Sequence, residues 1–426
     1  VTPKRLLAAA VAVALAAAGC GGSDDAADGN TLKLWHFEGP DSAMGVAWTE
    51  AIKQFEATHP GVKVRFEEKG FEQIQKTAPM VLNSSDAPDI LEYNKGNATA
   101  GLLAKQGLLT DLGDEVAERG WDKQLGPGID TTARYDGRGV MGSGKWYGVP
   151  NYAEYVMVYY NKDMFAQRGI QVPTTLDELT AAMDEFVAAG ITPLATAGQE
   201  YPAHQILYQL ALTKADRDWV DRYQRYTGEV DFHDEAWTFG AETFADWVGK
   251  GYLSKDSAGL KAEDMGLAFM QGEHPIMISG SWWYGRVRAN VKDFQWGTFP
   301  WPGMTSGSSG NIWVVPKGAK NKELAYDFIA ITMSQPIQDK LREAGGVPVA
   351  PGGTPASDPA MQEVTDTFKA LSEGDRLAYY PDWPAPGYYD VHVSAVQKLI
   401  TGSAGPHEVL DELAGPYREN LESIGG

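Results

Sequence analysis

The sequence predicts an α/β fold in two lobes. Three observations carry that reading: strand-like and helix-like segments alternate from Thr31 onward, a second such series begins after Pro150, and the chain is long. A folded part of roughly 400 residues exceeds the ~250 to 300 at which a single core usually splits.

Residues 31–37 (TLKLWHF) read as the first strand. The segment 42–58 then places Met44, Trp48, Ala51, Ile52 and Phe55 on one helical face, and His59, Pro60 and Gly61 end it. Val62, Val64 and Phe66 alternate as a second strand, 71–82 is helical again, and 88–93 is a short third strand. This order predicts a largely parallel sheet with its ligand crevice at the C-terminal ends of the strands. In the second series, 155–160 read as a strand, and Thr175 with Glu178 forms a capping-box pattern opening a helix that Gly190 closes. Residues 191–195 read as the next strand, and 237–248 and 324–332 as amphipathic helices with ordinary core faces. No repeat or long low-complexity stretch follows residue 30.

At the N-terminus, Lys4 and Arg5 precede an apolar stretch, 6–18, closed by Gly19 and Cys20. That is the layout of a secretory signal peptide, assigned to 1–19, and the stretch is shorter than the ~20 residues a spanning helix needs. Ala17, Ala18 and Gly19 before Cys20 resemble a lipobox, the bacterial signal for lipid attachment to a cysteine, although Ala17 replaces the usual leucine. Cys20 is the only cysteine in 426 residues, so the expected lipidation site is Cys20, and no internal disulfide forms. Val1 suggests an alternative start codon in a GC-rich bacterium. Residues 20–30, rich in Gly, Ser, Asp and Ala, read as the lipidated cysteine and a flexible tether.

Loss of Lys4 and Arg5 leaves 34 basic against 57 acidic residues, moving the net charge from −21 to −23. Such a surface repels phosphate backbones, which argues against nucleic acid as a partner and against electrostatic adhesion to anionic lipid. Membrane contact is expected only through lipid on Cys20, and because one acyl chain holds marginally, through multiple acylation. The expected location is the outer face of the cell membrane.

Several enzyme-like fragments fail chemically. GVMGSGKW (139–146) has the glycine and lysine spacing of a phosphate-binding loop, but Trp146 stands where Ser or Thr must reach magnesium, so it reads as a loop. His36, His59, His204, His233, His274, His392 and His407 lack ligand-like spacing, so neither metal nor cofactor is expected. No GxSxG elbow occurs. Aromatic supply does stand out: 13 Trp, 19 Tyr and 14 Phe, several beside Gly, Pro or Asn. Trp35, Tyr93, Tyr152, Trp282, Trp283, Tyr284, Trp313, Trp383, Tyr388 and Tyr389 are candidate platforms for the C–H faces of sugar rings, with core or rim packing the alternative for each.

The chain from Thr31 onward resembles the type 1 extracellular solute-binding proteins of ABC importers. The resemblance is carried by FEATHPGVKV (55–64), APDILEYNKGN (87–97), GLLTDL (107–112), YGVP with VMVYYNKDMF (147–165), FMQGEHPIMISGSWW (269–283) and VVPKGAKNKELAYDFI (314–329), in that order. It implies a periplasmic-binding-protein-like fold with a hinge and a ligand cleft between lobes. The N-terminal lobe would comprise 31–150 plus 302–348, and the C-terminal lobe 151–301 plus 349–426. Crossings would lie near 151–154 and 299–302, with a return near 347–351.

By the same resemblance Glu154 is a cleft carboxylate, Tyr93, Asn94 and Asn97 are an aromatic ring and polar contacts after the third strand, and Trp282 is a stacking ring with Trp283 beside it. Tyr388 or Tyr389 falls near a second stacking position, and Glu38 lies in the first ligand-contacting loop. Tyr152 stands among the loop aromatics, and Asn311 and Trp383 join the set from loop position and composition. The implied function is capture of a neutral oligosaccharide by a monomer that hands it to the importer's transmembrane subunits, without catalysis. WHFEGPDSAMGVAW (35–48) looks most like the xylobiose-binding branch from actinobacteria. Two alternatives stand beside it: a secreted glycoside hydrolase using Glu38 and Glu154 as its carboxylate pair, or a binder of a peptide, polyamine or phosphorylated solute in the same fold. The aromatic and amide-rich candidate set, with few carboxylates and no arginine, favours a neutral sugar.

Overall fold

The computed structural model describes residues 28–426 apart from Pro127, Pro351 and Gly426. The signal segment 1–19, Cys20 and most of the tether lie outside the described residues. Asp28–Asn30 form a single 3-10 turn that leads into the first strand.

One sheet has the order β2-β1-β3-β12-β6, built from β1 (Thr31–His36), β2 (Lys63–Glu68), β3 (Ile90–Tyr93), β6 (Val149–Pro150) and β12 (Ile312–Val314). The other has the order β10-β7-β9-β8, from β7 (Ala153–Asn161), β8 (Leu194–Ala195), β9 (Ile276–Gly280) and β10 (Trp296–Pro300), with β11 (Gly307–Ser309) also paired to β7. Segment 139–146, expected as a loop, ends in a short hairpin strand: β5 (Lys145–Trp146) pairs with β4 (Arg134–Tyr135).

The expected first series forms as read. Ser42 caps the helix Ala43–Thr58 by accepting from the Gly45 N–H, and the helix buries Met44, Trp48, Ala51 and Phe55. Thr175 caps Leu176–Ala188 by accepting from the Glu178 N–H. The largely parallel sheet holds only in part. β1 runs parallel to β2 and β3, and β8 to β9, but β12 is antiparallel to β3 and β6, and β7 is antiparallel to β9, β10 and β11. A parallel pair needs a crossover helix, whereas β7 and β11 carry the chain straight between the sheets and are free to pair antiparallel. The strand expected at 191–195 shrinks to Leu194–Ala195, since Pro193 has no N–H to give the ladder.

All nine residues of β7 are buried, and they divide by face: Tyr155, Met157 and Tyr159 enter one apolar cluster, Val156, Val158 and Tyr160 the other. Both clusters contain residues of both sheets, including Leu34 and Trp313 in one and Leu91 and Ile312 in the other. Both sheets are therefore covered on two sides. β2 is the exception. As an edge strand it leaves Phe66 38% exposed, its ring stacked on His36 at 4.0 Å.

The first crossing runs through Asn151 and Tyr152, from β6 into β7. The second differs. β10 and β11 both still pair with β7, so the chain passes between sheets at Gly310 and Asn311, later than 299–302, and the lobe boundary drawn at 302 moves with it. There the Asn151 N–H donates to the Asn311 carbonyl at 3.2 Å, and the Ala153 N–H donates to that of Val347 at 2.7 Å, which sets the return beside the first crossing. Tyr388–Thr401 and Pro406–Ser423 pack on helices Tyr201–Ala211 and Glu235–Gly249 of the second lobe.

Candidate functional site

A cavity of about 320 Å³ lies between the lobes, at the carboxyl ends of β1 and β3 on one side and β9 on the other. Strand ends supply it because the chain there leaves the ladder and its side chains are free to converge.

After β1, Glu38 turns inward, and the Ser42 hydroxyl that caps the next helix also donates to Glu38 Oε2 at 3.2 Å. Burial pushes the Glu38 carboxyl up to about 8, with the nearby Glu154 charge adding to the rise and Ser42 and Lys95 opposing it. Across the cleft, Lys95 Nζ donates to Glu154 Oε1 at 2.6 Å, with the two side chains 4% and 5% exposed. Glu154 Oε2 accepts from the Tyr152 hydroxyl at 3.1 Å, and that hydroxyl accepts from Asn311 Nδ2 at 2.9 Å. The Lys95 ammonium also sits 5.5 Å from the Tyr380 ring centre and 5.2 Å from that of Trp383. A buried ion pair is tolerable only when its remaining polar capacity is used, and this one is surrounded by partners.

The aromatic wall follows β9. Trp282 and Trp283 donate their indole N–H groups to the same Tyr201 hydroxyl, at 3.2 and 3.1 Å. Trp282 also meets the Tyr201 ring edge-on at 5.6 Å and the Tyr380 ring at 6.2 Å. The indole lies directly on Gly280, where a Cβ would come within 1.8 Å of it, so only glycine lets the ring occupy this position. Over Trp283, at 4.7 Å, lies the Arg286 guanidinium, bonded to Glu263 at 2.6 and 2.8 Å and to Asp41 at 3.1 Å.

On the remaining wall burial raises the Asp382 carboxyl to about 7. Its neighbour His204, 3.8 Å away, is held neutral by burial and makes no hydrogen bond within the protein. Tyr389 donates its hydroxyl to Glu72 Oε1 at 2.6 Å, joining the helix Tyr388–Thr401 to Phe71–Val81 across the cleft.

Of the twelve ligand-contact residues expected from sequence, Glu38, Asn94, Tyr152, Glu154, Trp282, Trp283, Asn311, Trp383 and Tyr389 line this cavity. Three do not. Tyr93 points from the other face of β3 into an apolar cluster, as strand alternation after Glu92 requires. Asn97 is a backbone clamp: its Oδ1 accepts from the Met141 N–H at 2.9 Å and its Nδ2 donates to the Gln224 carbonyl at 2.8 Å. Tyr388 is fully buried, donating to the Leu413 carbonyl at 2.8 Å with its ring against His392, so of the tyrosine pair only Tyr389 faces the cleft.

Sequence reading missed Lys95, Tyr201, Arg286, Tyr380 and Asp382. Lys95 stood inside the quoted APDILEYNKGN, and Tyr380 and Asp382 adjoin Trp383, so loop position was the available signal. The charge expectation is also corrected: Asp41, Glu200, Glu263, Asp382 and Arg286 line the cavity along with Glu38 and Glu154. Among the described residues no cluster of three or more His, Cys, Asp or Glu side chains is placed to hold a metal ion, and no helix is long and apolar enough to cross a membrane.

The sequence pattern of the bacterial extracellular solute-binding proteins matches residues 39–334. The chain is 26% identical to the diacetylchitobiose-binding protein of Streptomyces coelicolor, over 98% of this chain and 99% of that protein. Its fold is similar to that of a chitin oligosaccharide binding protein, with a TM-score of 0.76, 22% identity, and coverage of 94% of this chain and 100% of the other. A structure from work on xylan utilization by the thermophilic bacterium Caldanaerobius polysaccharolyticus superposes with a TM-score of 0.78 at 20% identity, covering 90% of this chain and 98% of that one. The chain belongs to the bacterial extracellular solute-binding protein family, and it is a binding protein rather than an enzyme.

Proposed function

We propose that this protein captures a neutral oligosaccharide by closing its lobes on it and delivers it to the transmembrane subunits of an ABC importer. One observation carries the reading: the cavity joins an indole wall to polar groups whose cations are already paired. Lys95 is paired with Glu154, Arg286 is paired with Glu263 and Asp41, and Glu38 and Asp382 are pushed toward their uncharged forms. An anionic solute finds no free cation there, whereas hydroxyl groups find lone pairs on each carboxyl oxygen. The relatives' names point the same way, to sugars.

The first candidate is xylobiose or a related xylo-oligosaccharide, on the likeness of segment 35–48 to xylobiose-binding proteins. The full-length match to a diacetylchitobiose-binding protein makes that N-acetylated disaccharide the second. The protein acts as a monomer, retained outside the cell membrane by lipid on Cys20. Cys20→Ser should release it into the medium, and retention of that variant would refute the anchor.

The test of the ligand is a thermal-shift and calorimetry panel of xylobiose, diacetylchitobiose, cellobiose, maltose and monosaccharides, with a polyamine and a sugar phosphate as charged controls. A ligand that binds only the folded state raises its melting temperature. The expected result is a shift with one neutral disaccharide and none with the charged solutes; a shift confined to a charged solute would overturn the proposal.

A further inference from the structure

Far from the cleft, two histidines that sequence spacing keeps 174 residues apart meet on the surface of the second lobe. His233 lies just before the helix Glu235–Gly249, and His407 lies in the first turn of Pro406–Ser423. Their Nδ1 atoms are 3.3 Å apart. The ring planes are within 19° of parallel while the centroids are 5.4 Å apart, so the rings meet by their Nδ1 edges and not by their faces.

The His233 ring is held from behind by a carboxylate of the opposite helix, and a second carboxylate lies near the His407 ring. His233 Nε2 is 2.9 Å from Asp411 Oδ1, and His407 Nε2 is 3.8 Å from Glu242 Oε1. The backbone of His233 is fixed as well, its N–H donating to Asp231 at 2.9 Å and its carbonyl accepting from the Thr238 hydroxyl at 3.2 Å. Asp411 accepts from His233 Nε2 and so leaves the His233 Nδ1 lone pair free to accept. At this separation one Nδ1–H donates to the other Nδ1, and a divalent ion that displaces this proton takes both nitrogens.

We infer that His233 and His407 form a binding site for one borderline divalent transition-metal ion, of which Zn²⁺ is the representative, through their Nδ1 atoms. Zn–N bonds of about 2.0 to 2.1 Å at a tetrahedral angle place the two nitrogens about 3.4 Å apart, close to the separation found. The carboxylate, imidazole and metal arrangement is the usual outer-shell support for zinc. Water completes the coordination, because the side chains are 36% and 66% exposed and His407 is free to tilt toward the ion. Hard cations such as Mg²⁺ prefer oxygen ligands and have no purchase here. A bound ion staples the chain entering Glu235–Gly249 to the last helix.

The experiment is calorimetric titration of the full mature chain, without an affinity tag, with ZnCl₂ and separately MgCl₂, on wild type and on His407→Gln and His233→Asn. One equivalent of Zn²⁺ should bind wild type and raise its melting temperature, Mg²⁺ should do neither, and each variant should lose at least tenfold in Zn²⁺ affinity. Replacing His407, two thirds exposed, leaves the fold intact, which an unchanged far-UV spectrum verifies. Absence of Zn²⁺ binding by wild type, or binding of equal strength and stoichiometry by His407→Gln, overturns the inference.

Discussion

Trp282 is the residue on which the proposed recognition leans most. Its indole is fixed by the Tyr201 hydroxyl and by the flat surface of Gly280, so little order has to be imposed when a sugar stacks on it. Trp282→Ala should cost about 1.5 to 3 kcal/mol of binding, on the scale of buried aromatic anchors, or roughly 10- to 150-fold in Kd. Calorimetry with the best ligand checks this, and an unchanged Kd would remove Trp282 from the site. Glu38 makes a separate prediction about pH. Its folded pKa lies near 8 against an ordinary value of 4.5, so the folded protein holds a proton that the unfolded chain has released. Stability from this group is complete below about pH 4.5 and is lost as pH rises through about 8. Asp382, raised from 3.8 to about 7, adds in the same sense at slightly lower pH. In Glu38→Gln the fall in melting temperature between pH 5 and pH 8.5 should therefore be shallower than in wild type. An equal or steeper fall would show that Glu38 is ionised throughout.

Elements place these residues, and elements were the more legible level. Periodicity gave the helices because burial of one face at 3.6-residue spacing leaves a trace in sequence, as with Met44, Trp48, Ala51 and Phe55. The direction of β7 left no such trace: a strand buried on both faces reads alike in either orientation, and its direction follows from where β6 and β11 cross. Tyr388 and Tyr389 open the helix Tyr388–Thr401, and the turn of about 100° between successive helical residues sends one ring into the helix packing and the other to the cleft. Lys95 and Asp382 escaped notice because a charged residue in a loop is ordinarily solvent-facing, whereas both are buried in the cleft. At this scale the end of β9 can be tested. Gly280 has φ −77°, which any residue adopts, so Gly280→Ala is disfavoured only by the indole resting on it. It should displace Trp282, weaken sugar binding as strongly as Trp282→Ala, and cost about 1 to 3 kcal/mol of stability from overpacking. Wild-type affinity in this variant would mean the ring can bind from another position.

For the whole molecule, the decisive quantity is the balance between lobes apart and lobes together. The lobes are linked around the cavity by the Tyr389–Glu72 bond at 2.6 Å, the Arg286–Asp41 pair at 3.1 Å, and the Ala98 N–H donating to the Trp383 carbonyl at 2.8 Å. None of these links needs a ligand. Each therefore raises the population of the closed form before sugar arrives, and a ligand's apparent affinity scales with the fraction of protein that is competent to hold it. The Arg286–Asp41 pair is partly exposed, with side chains 22% and 49% open, so it contributes little. The Tyr389–Glu72 bond is drier, because burial raises the Glu72 carboxyl and protects the contact from water. Tyr389→Phe keeps the ring in the cavity and removes only the hydroxyl. Loss of a net hydrogen bond of about 1 kcal/mol should lower the closed fraction and weaken sugar binding by about fivefold, chiefly through faster release. The same variant should show a larger radius of gyration than wild type in small-angle scattering without sugar, and the two radii should converge when sugar saturates both. If affinity falls while the unliganded radius stays at the wild-type value, the hydroxyl acts on the ligand directly and not on the balance of the lobes.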